Sequence, residues 1–299
     1  MYNKVHTKFI QEPLINVLHD GANACRSIPK GIESYPLGEY YLQSLFLKMT
    51  GAQEQKMKCI CWEMATNNYR YRYEYQRGVY GECSNYKDKK KVYSDIVKNI
   101  KEKDDSFDPK VILDFDIDED VLNEAKLIKA NKLIVKQNNI KLAQSKHELT
   151  EQQKEKLRNN VFAHSISVDD KLSMYAFVEV MHIVKSSNLY LWDEEGFTFF
   201  NENWKDILNK DNIRLTDTNF FSEKMRSHYA DIVYSHRNRC AHNLTSYQED
   251  VPPLEILSDS KSKYNNYFFR YSILVLIDEI FRLLFKKYIE LMCPYEFGL

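Results

Sequence analysis

Glycine and proline are scarce in this chain, at 8 and 7 of its 299 residues. A sandwich or barrel of many short strands spends those residues at its turns, so their scarcity argues for long helices joined by short connections. Long apolar runs are missing too. The longest aliphatic run, Ile273 to Ile277, is five residues, against the about 20 that a helix needs to cross a bilayer. The first residues, Met1 to Ile10, carry Lys4, His6 and Lys8 among the apolar ones and so lack the unbroken apolar stretch of a secretory signal. The expectation is a cytoplasmic protein that does not engage a membrane. Six cysteines (Cys25, Cys59, Cys61, Cys83, Cys240, Cys293) form no C-x-x-C pair, which fits neither a disulfide framework nor a cysteine-rich zinc site and leaves reduced, mostly buried thiols. Charge of one sign is also absent. Lys and Arg number 42 against 43 for Asp and Glu, so any nucleic-acid site must be a local basic patch.

What is present is an ordinary globular balance, 43% hydrophobic and 28% charged, which is enough apolar matter to fold. Aromatic residues reach 13%, with 21 Tyr and 16 Phe; that many rings build helix-packing seams, or in places a surface on which bases stack. Apolar residues recur at helical spacing from Gly38 to Tyr73 through Leu42, Leu45, Phe46, Met49, Met57, Ile60 and Met64. The end of that stretch, Tyr69-Arg70-Tyr71-Arg72-Tyr73, alternates base and ring and is open to reading as a strand edge, a frayed helix or an RNA-stacking surface carrying Arg70 and Arg72. Lys87 to Lys103 reads as a solvated helix, and Val111 to Ile117 as a short strand or the entry to a helix. Two helices are expected between Asp118 and Asn160, with a break near Asn138-Asn139. Further helices open at Asp169, over Asn219 to His242, and over Tyr264 to Met292, with an irregular aromatic stretch from Tyr190 to Trp204 and a Pro252-Pro253 loop between them. On the last helix Tyr267, Tyr271, Leu274, Phe281, Leu284, Phe285 and Tyr288 form a buried side, interrupted by Asp278, and Arg282, Lys286, Lys287 and Glu290 an exposed one. The predicted organisation is all-α, with an N-terminal helical region over 1–190 and a C-terminal core over 191–299.

One short pattern occurs twice. Arg158-Asn159-Asn160-Val161-Phe162-Ala163-His164 and Arg237-Asn238-Arg239-Cys240-Ala241-His242 both read Arg-Asn, a gap, Ala-His. These residue types suit RNA cleavage without metal. A base must take the proton from a 2′-hydroxyl, and a neutral imidazole with a pKa of about 6.5 does so near neutrality. A guanidinium keeps its charge and forks onto two phosphate oxygens. An Asn amide donates and accepts at once and can hold the imidazole or the substrate in register. On a helix Asn238 and His242, at i and i+4, share a face, whereas Arg237 and His242 are rotated apart. Either the helix ends at the His, as Asn243 would permit, or two copies of the motif meet.

The string Arg237-Asn238-Arg239-Cys240-Ala241-His242-Asn243 resembles the signature of the HEPN superfamily. That resemblance implies an all-α bundle of four or five helices, metal-independent endoribonuclease activity with no cofactor, and a cleft often shared between two bundles. It further implies a place in toxin–antitoxin, abortive-infection or other antiphage systems, with an antitoxin or defence-system protein as partner. Arg237 and His242 then match the catalytic pair and Asn238 its polar companion, while Arg158, Asn159 and His164 match a second motif, so that residues 1–190 hold either a helical extension or a second, degenerate HEPN-like unit. A homodimer through the C-terminal motif is expected, with Arg239, Arg70 and Arg72 as candidate RNA contacts. The competing reading is a helical module that binds nucleotide, RNA or protein through the motif without cutting, or a nucleotide-handling regulator working with a separate nucleotidyltransferase. A metal site built from His182, His228, His236 and His242 is discounted, because no carboxylate arrangement completes it.

Overall fold

The computed structural model describes residues 4–26, 28, 34–77, 81–145, 147–163, 166–187, 189–242 and 263–292. Of these, 81% are helical and none lies in a strand; Ile213 and Phe221 form an isolated antiparallel bridge. In chain order the helices are α1 (Lys4–Gln11), α2 (Ile15–Cys25), α3 (Tyr35–Asn67), α4 (Tyr69–Gln76), α5 (Tyr86–Lys101), α6 (Glu119–Ser145), α7 (Glu151–Ala163), α8 (Val168–Ser187), α9 (Glu194–Asn203), α10 (Glu223–His228), α11 (Ser235–His242) and α12 (Tyr267–Met292). A π-helical segment, Tyr229–Tyr234, joins α10 to α11 without a break.

The last helix is the axis of the molecule. Every residue from Tyr267 to Phe281 is buried, including Arg270, Asp278 and Glu279, because α3, α5, α8 and α9 pack around it. The exposed side expected of it begins only near its C-terminal end, at Lys286. Since α3, α5 and α8 precede residue 190 and α12 follows it, both stretches feed one hydrophobic core, from Ile10 to Ile289. Asp278, which interrupts the apolar side of this helix, pairs with a cation. It takes Lys56 Nζ at 2.7 Å and the Leu14 backbone N–H at 2.7 Å, which pins the start of α2 to the axis.

The helix boundaries follow local chemistry. Asn68 leaves α3 in an extended conformation and its side-chain oxygen accepts from Tyr71 N at 3.1 Å, so the stretch read as one helix is two. The alternating Tyr/Arg segment is therefore helix, not strand edge. Arg72 donates from Nε to the Ala65 carbonyl at 2.8 Å and from Nη2 to the Thr66 carbonyl at 3.0 Å, closing the C-terminal end of α3. α5 is not solvated: Val92, Tyr93, Ile96, Val97 and Ile100 are buried, and so is Lys89. Val111 lies in a 3-10 turn, Pro109–Leu113, opened by Asp108, and not in a strand or α-helix. α6 runs straight through Asn138-Asn139; Asn138 instead accepts from Leu149 N at 2.7 Å across the turn into α7. The aromatic stretch after residue 190 is mostly helix, with Asp193 capping α9 through Gly196 N at 2.9 Å. It packs rings in series, among them Phe177 on Trp204 with centroids 4.4 Å apart. Cys25, Cys59, Cys61 and Cys83 are buried free thiols; Cys293 lies outside the described residues. Among the described residues no helix is long and apolar enough to cross a membrane.

Candidate functional site

The C-terminal motif rides on α11, whose entry is unusual. Through Tyr229–Tyr234 the helix widens by one residue, and such π segments are rare and concentrate at functional sites. Two side chains support the wide turn. Ser235 sends both its N–H and, at 2.8 Å, its hydroxyl to the Ala230 carbonyl. Arg270 of α12, buried, donates from Nε to the Ile232 carbonyl at 2.9 Å, its guanidinium 5.0 Å from the Tyr267 ring centroid.

Beyond the wide turn, Arg237 points at α3. Its Nη2 lies 3.3 Å from each carboxylate oxygen of Glu54, and Nη1 lies 3.4 Å from Asn238 Oδ1. The Arg237 side chain is 25% exposed and that of Glu54 13%, so the pair is half-sheltered with the guanidinium still open to solvent. At these lengths the contacts are weak, and an arriving phosphate can compete for the fork. Helix α11 continues to His242, its last described residue. His242 stands five positions after Arg237, about 140° of helix rotation, whereas Asn238 and His242 lie on one face. Asn238 thus sits on His242's face while its oxygen reaches Arg237. The His242 side chain lies outside the described residues.

Around Glu54 and Arg237 the site is charged and ringed. Burial pushes the Lys89 ammonium down to about 8, with the Glu54 carboxylate pulling it back up. The Tyr229 hydroxyl, raised by burial and then by Glu54, donates to the Ser84 carbonyl at 2.6 Å. His236, next to Arg237, is a packing residue: its ring lies 5.1 Å from Phe46 and 5.3 Å from Tyr267. Burial, with Arg270 and Arg239 adding to it, pushes His236 down to about 2, so it stays neutral. Arg239 is exposed, its Nη2 3.4 Å from His236 Nδ1.

No protein-family model, curated protein or solved structure matches this chain. The site therefore stands on its own geometry.

The second motif lies elsewhere. Arg158 and Asn159 are on α7, which packs on α6, whereas α11 packs on α3. Arg158 pairs with Glu155 at 3.2 Å, Asn159 is exposed, and His164 lies outside the described residues. Arg70 is exposed on α4, and Arg72 beside it is occupied by the α3 carbonyls. His182 pairs with Glu124 at 2.9 Å, and among the described residues no group of three or more His, Cys, Asp or Glu is placed to hold a metal. Glu54, Lys89 and Tyr229 were not candidates from sequence. Lys89 carried one signal: it stands three and four residues before Val92 and Tyr93, on the apolar stripe of α5.

Proposed function

We propose that this chain is a metal-independent endoribonuclease of the HEPN type, with Arg237, Asn238 and His242 as its reacting set. The observation that carries the reading is the arrangement of Arg237, half-sheltered and weakly held by Glu54, with Asn238 at 3.4 Å on a helix that runs to His242. In this mechanism the guanidinium meets the scissile phosphate and stabilises the phosphorane charge, while His242 moves the proton of the attacking 2′-hydroxyl. Asn238 keeps the two in register. Two chains pairing through α11 would bring both motifs to one cleft, because Arg237 and His242 diverge around their own helix. As the resemblance implies, such an enzyme would serve a bacterial toxin–antitoxin or antiphage system.

A second reading has an observation of its own. Glu54 already balances Arg237, as it would in a module that binds nucleotide or RNA without cutting it. Incubating purified protein with total RNA in excess EDTA, beside His242→Ala, separates the two. Fragments ending in 2′,3′-cyclic phosphate and 5′-hydroxyl, lost in the variant, are the expected result. Cleavage abolished by EDTA and restored by magnesium would overturn the metal-free route, and intact RNA throughout would favour the binding module.

A further inference from the structure

Away from the motif, a cavity of about 290 Å³ opens between α6, the end of α7, α8 and the turn at Trp204–Asp206. Its walls are apolar, built from Ile128, Val161, Ile166, Met174 and Leu208, and the stacked rings of Phe177 and Trp204 close one side at an interplanar angle of 7°. Four lysines surround it: Lys126, Lys129 and Lys132 on α6, and Lys205. Among the described residues none of these four forms an ion pair. Lys132 reaches the Asn201 and Glu202 carbonyls and Lys126 the Phe162 carbonyl, which spends hydrogen-bond donors but cancels no charge. Lys132 and Lys205 repel each other: the Lys132 ammonium is pushed down by burial and then by Lys205. Two carboxylates, Asp170 and Glu202, also line the space, so the lining carries a net positive charge. Ser167 and Asp170, at the start of α8, line it as well. Asp170 precedes Phe177 by seven residues, about 10 Å along the helix.

We infer that this cavity is a binding site for a nucleoside phosphate, separate from the Arg237 site. The ligand must be flat and largely apolar in the middle to fill the cleft beside Trp204. It must carry an anionic group, to meet the surrounding lysines Lys129, Lys132 and Lys205. It must also offer N–H donors to Asp170 and Ser167, as a base does. The volume lies at the small end of the about 300–1,000 Å³ typical of ligand sites, which suits one mononucleotide and not a strand.

Isothermal titration of the full chain with the four ribonucleoside monophosphates tests this, with inorganic phosphate, decanoate and a short oligoribonucleotide as comparison ligands. At least one monophosphate should bind more tightly than phosphate or decanoate. Lys129→Glu with Lys205→Glu, both at exposed positions, should weaken it by at least about tenfold at unchanged helical content. Leu208→Trp, which fills the cavity, should abolish it. Binding undiminished in the double lysine variant, tighter binding of phosphate or decanoate, binding confined to the oligoribonucleotide, or no binding at all would each overturn the inference. None of these variants touches Arg237, Asn238 or His242, so RNA cleavage reports on the other site independently.

Discussion

Removing the carboxylate of Asp278 should be among the most damaging single changes to this fold. Both side chains of the Lys56–Asp278 pair are only 5% exposed, and Asp278 also satisfies the Leu14 N–H. In Asp278→Ala the Lys56 ammonium is left in the core without its counter-charge, which costs about 3–5 kcal/mol. The Leu14 N–H loses its acceptor at a further cost of about 1–3 kcal/mol, partly overlapping the first. A total near 5 kcal/mol would consume much of the about 5–15 kcal/mol that holds a domain folded. Lys56→Met should cost less, about 3 kcal/mol: burial pushes the Asp278 carboxyl upward just as it pushes the Lys56 ammonium downward, but the carboxyl, once protonated, still accepts from the Leu14 N–H. In Lys56→Met with Asp278→Leu neither charge of the pair remains, so the double variant should be more stable than Asp278→Ala alone. Urea unfolding at pH 7, followed by the helical circular dichroism signal and compared at equal m values, measures all three. A loss below about 1 kcal/mol in Asp278→Ala, or a double variant that costs the sum of its parts, would refute the reasoning.

His236 predicts a pH dependence. Its folded-state pKa, held down to about 2 by burial, lies below the unfolded value near 6.5, so the unfolded chain takes up the proton first. Stability is present above about pH 6.5 and falls by about 1.4 kcal/mol per unit below it. Wild type should therefore lose about 2 kcal/mol more than His236→Phe between pH 7 and pH 5, and equal losses in urea titrations would place His236 in solvent. For the proposed ribonuclease, Arg237→Lys should be nearly as inactive as Arg237→Ala, because a point charge cannot reproduce the fork; full activity in an RNA-cleavage assay would reassign Arg237 to general electrostatics. His242→Ala should abolish cleavage and His164→Ala should spare it, in a protein whose mass in solution is that of a dimer. Equal losses in a monomer would mean that both motifs work within one chain.

Much of the helical architecture could be read from residue order because its signals are local. Scarce Gly and Pro, the acidic first turn of α8 and the apolar spacing of α12 each act within a few turns of helix. What escaped depends on distant partners. Nothing near Asn68 distinguishes it from Asn138, yet the first ends α3 and caps α4, while the second lies within α6 and accepts from Leu149 across the next turn. Lysines in the sequence of α5 suggested solvent, and the same helix buries Lys89 because α12 needs its apolar stripe. The short helices α1 and α2 are not among those expected from the sequence; α2 gains its place partly from the Asp278 contact, made 264 residues away. In the candidate site, Arg237 and Asn238 were visible as a motif, whereas Glu54 lies 183 residues from Arg237 in the chain and no pattern links them.

The π segment explains why Arg237, and not His236, faces Glu54. In an unbroken α-helix His236 would stand about 20° round from Tyr229 and Arg237 about 80°. One extra residue in the turn rotates everything after it back by about 100°. Arg237 then comes within roughly 20° of Tyr229, which agrees with Glu54 acting on both of them. His236 swings about 120° away from Tyr229, onto Phe46 and Tyr267, where it is half-buried and neutral. The exchange places a charged fork at a half-open edge and an uncharged ring against the core residues Phe46 and Tyr267. A regular helix would put the histidine toward Glu54 and leave the guanidinium without that carboxylate. The wide turn costs regular backbone pairing, and the structure offsets that cost twice, with the Ser235 hydroxyl and with a buried arginine from the central helix. Arg270 thereby links the core of the bundle to the presentation of Arg237, so the candidate site depends on the same axis that holds the fold together.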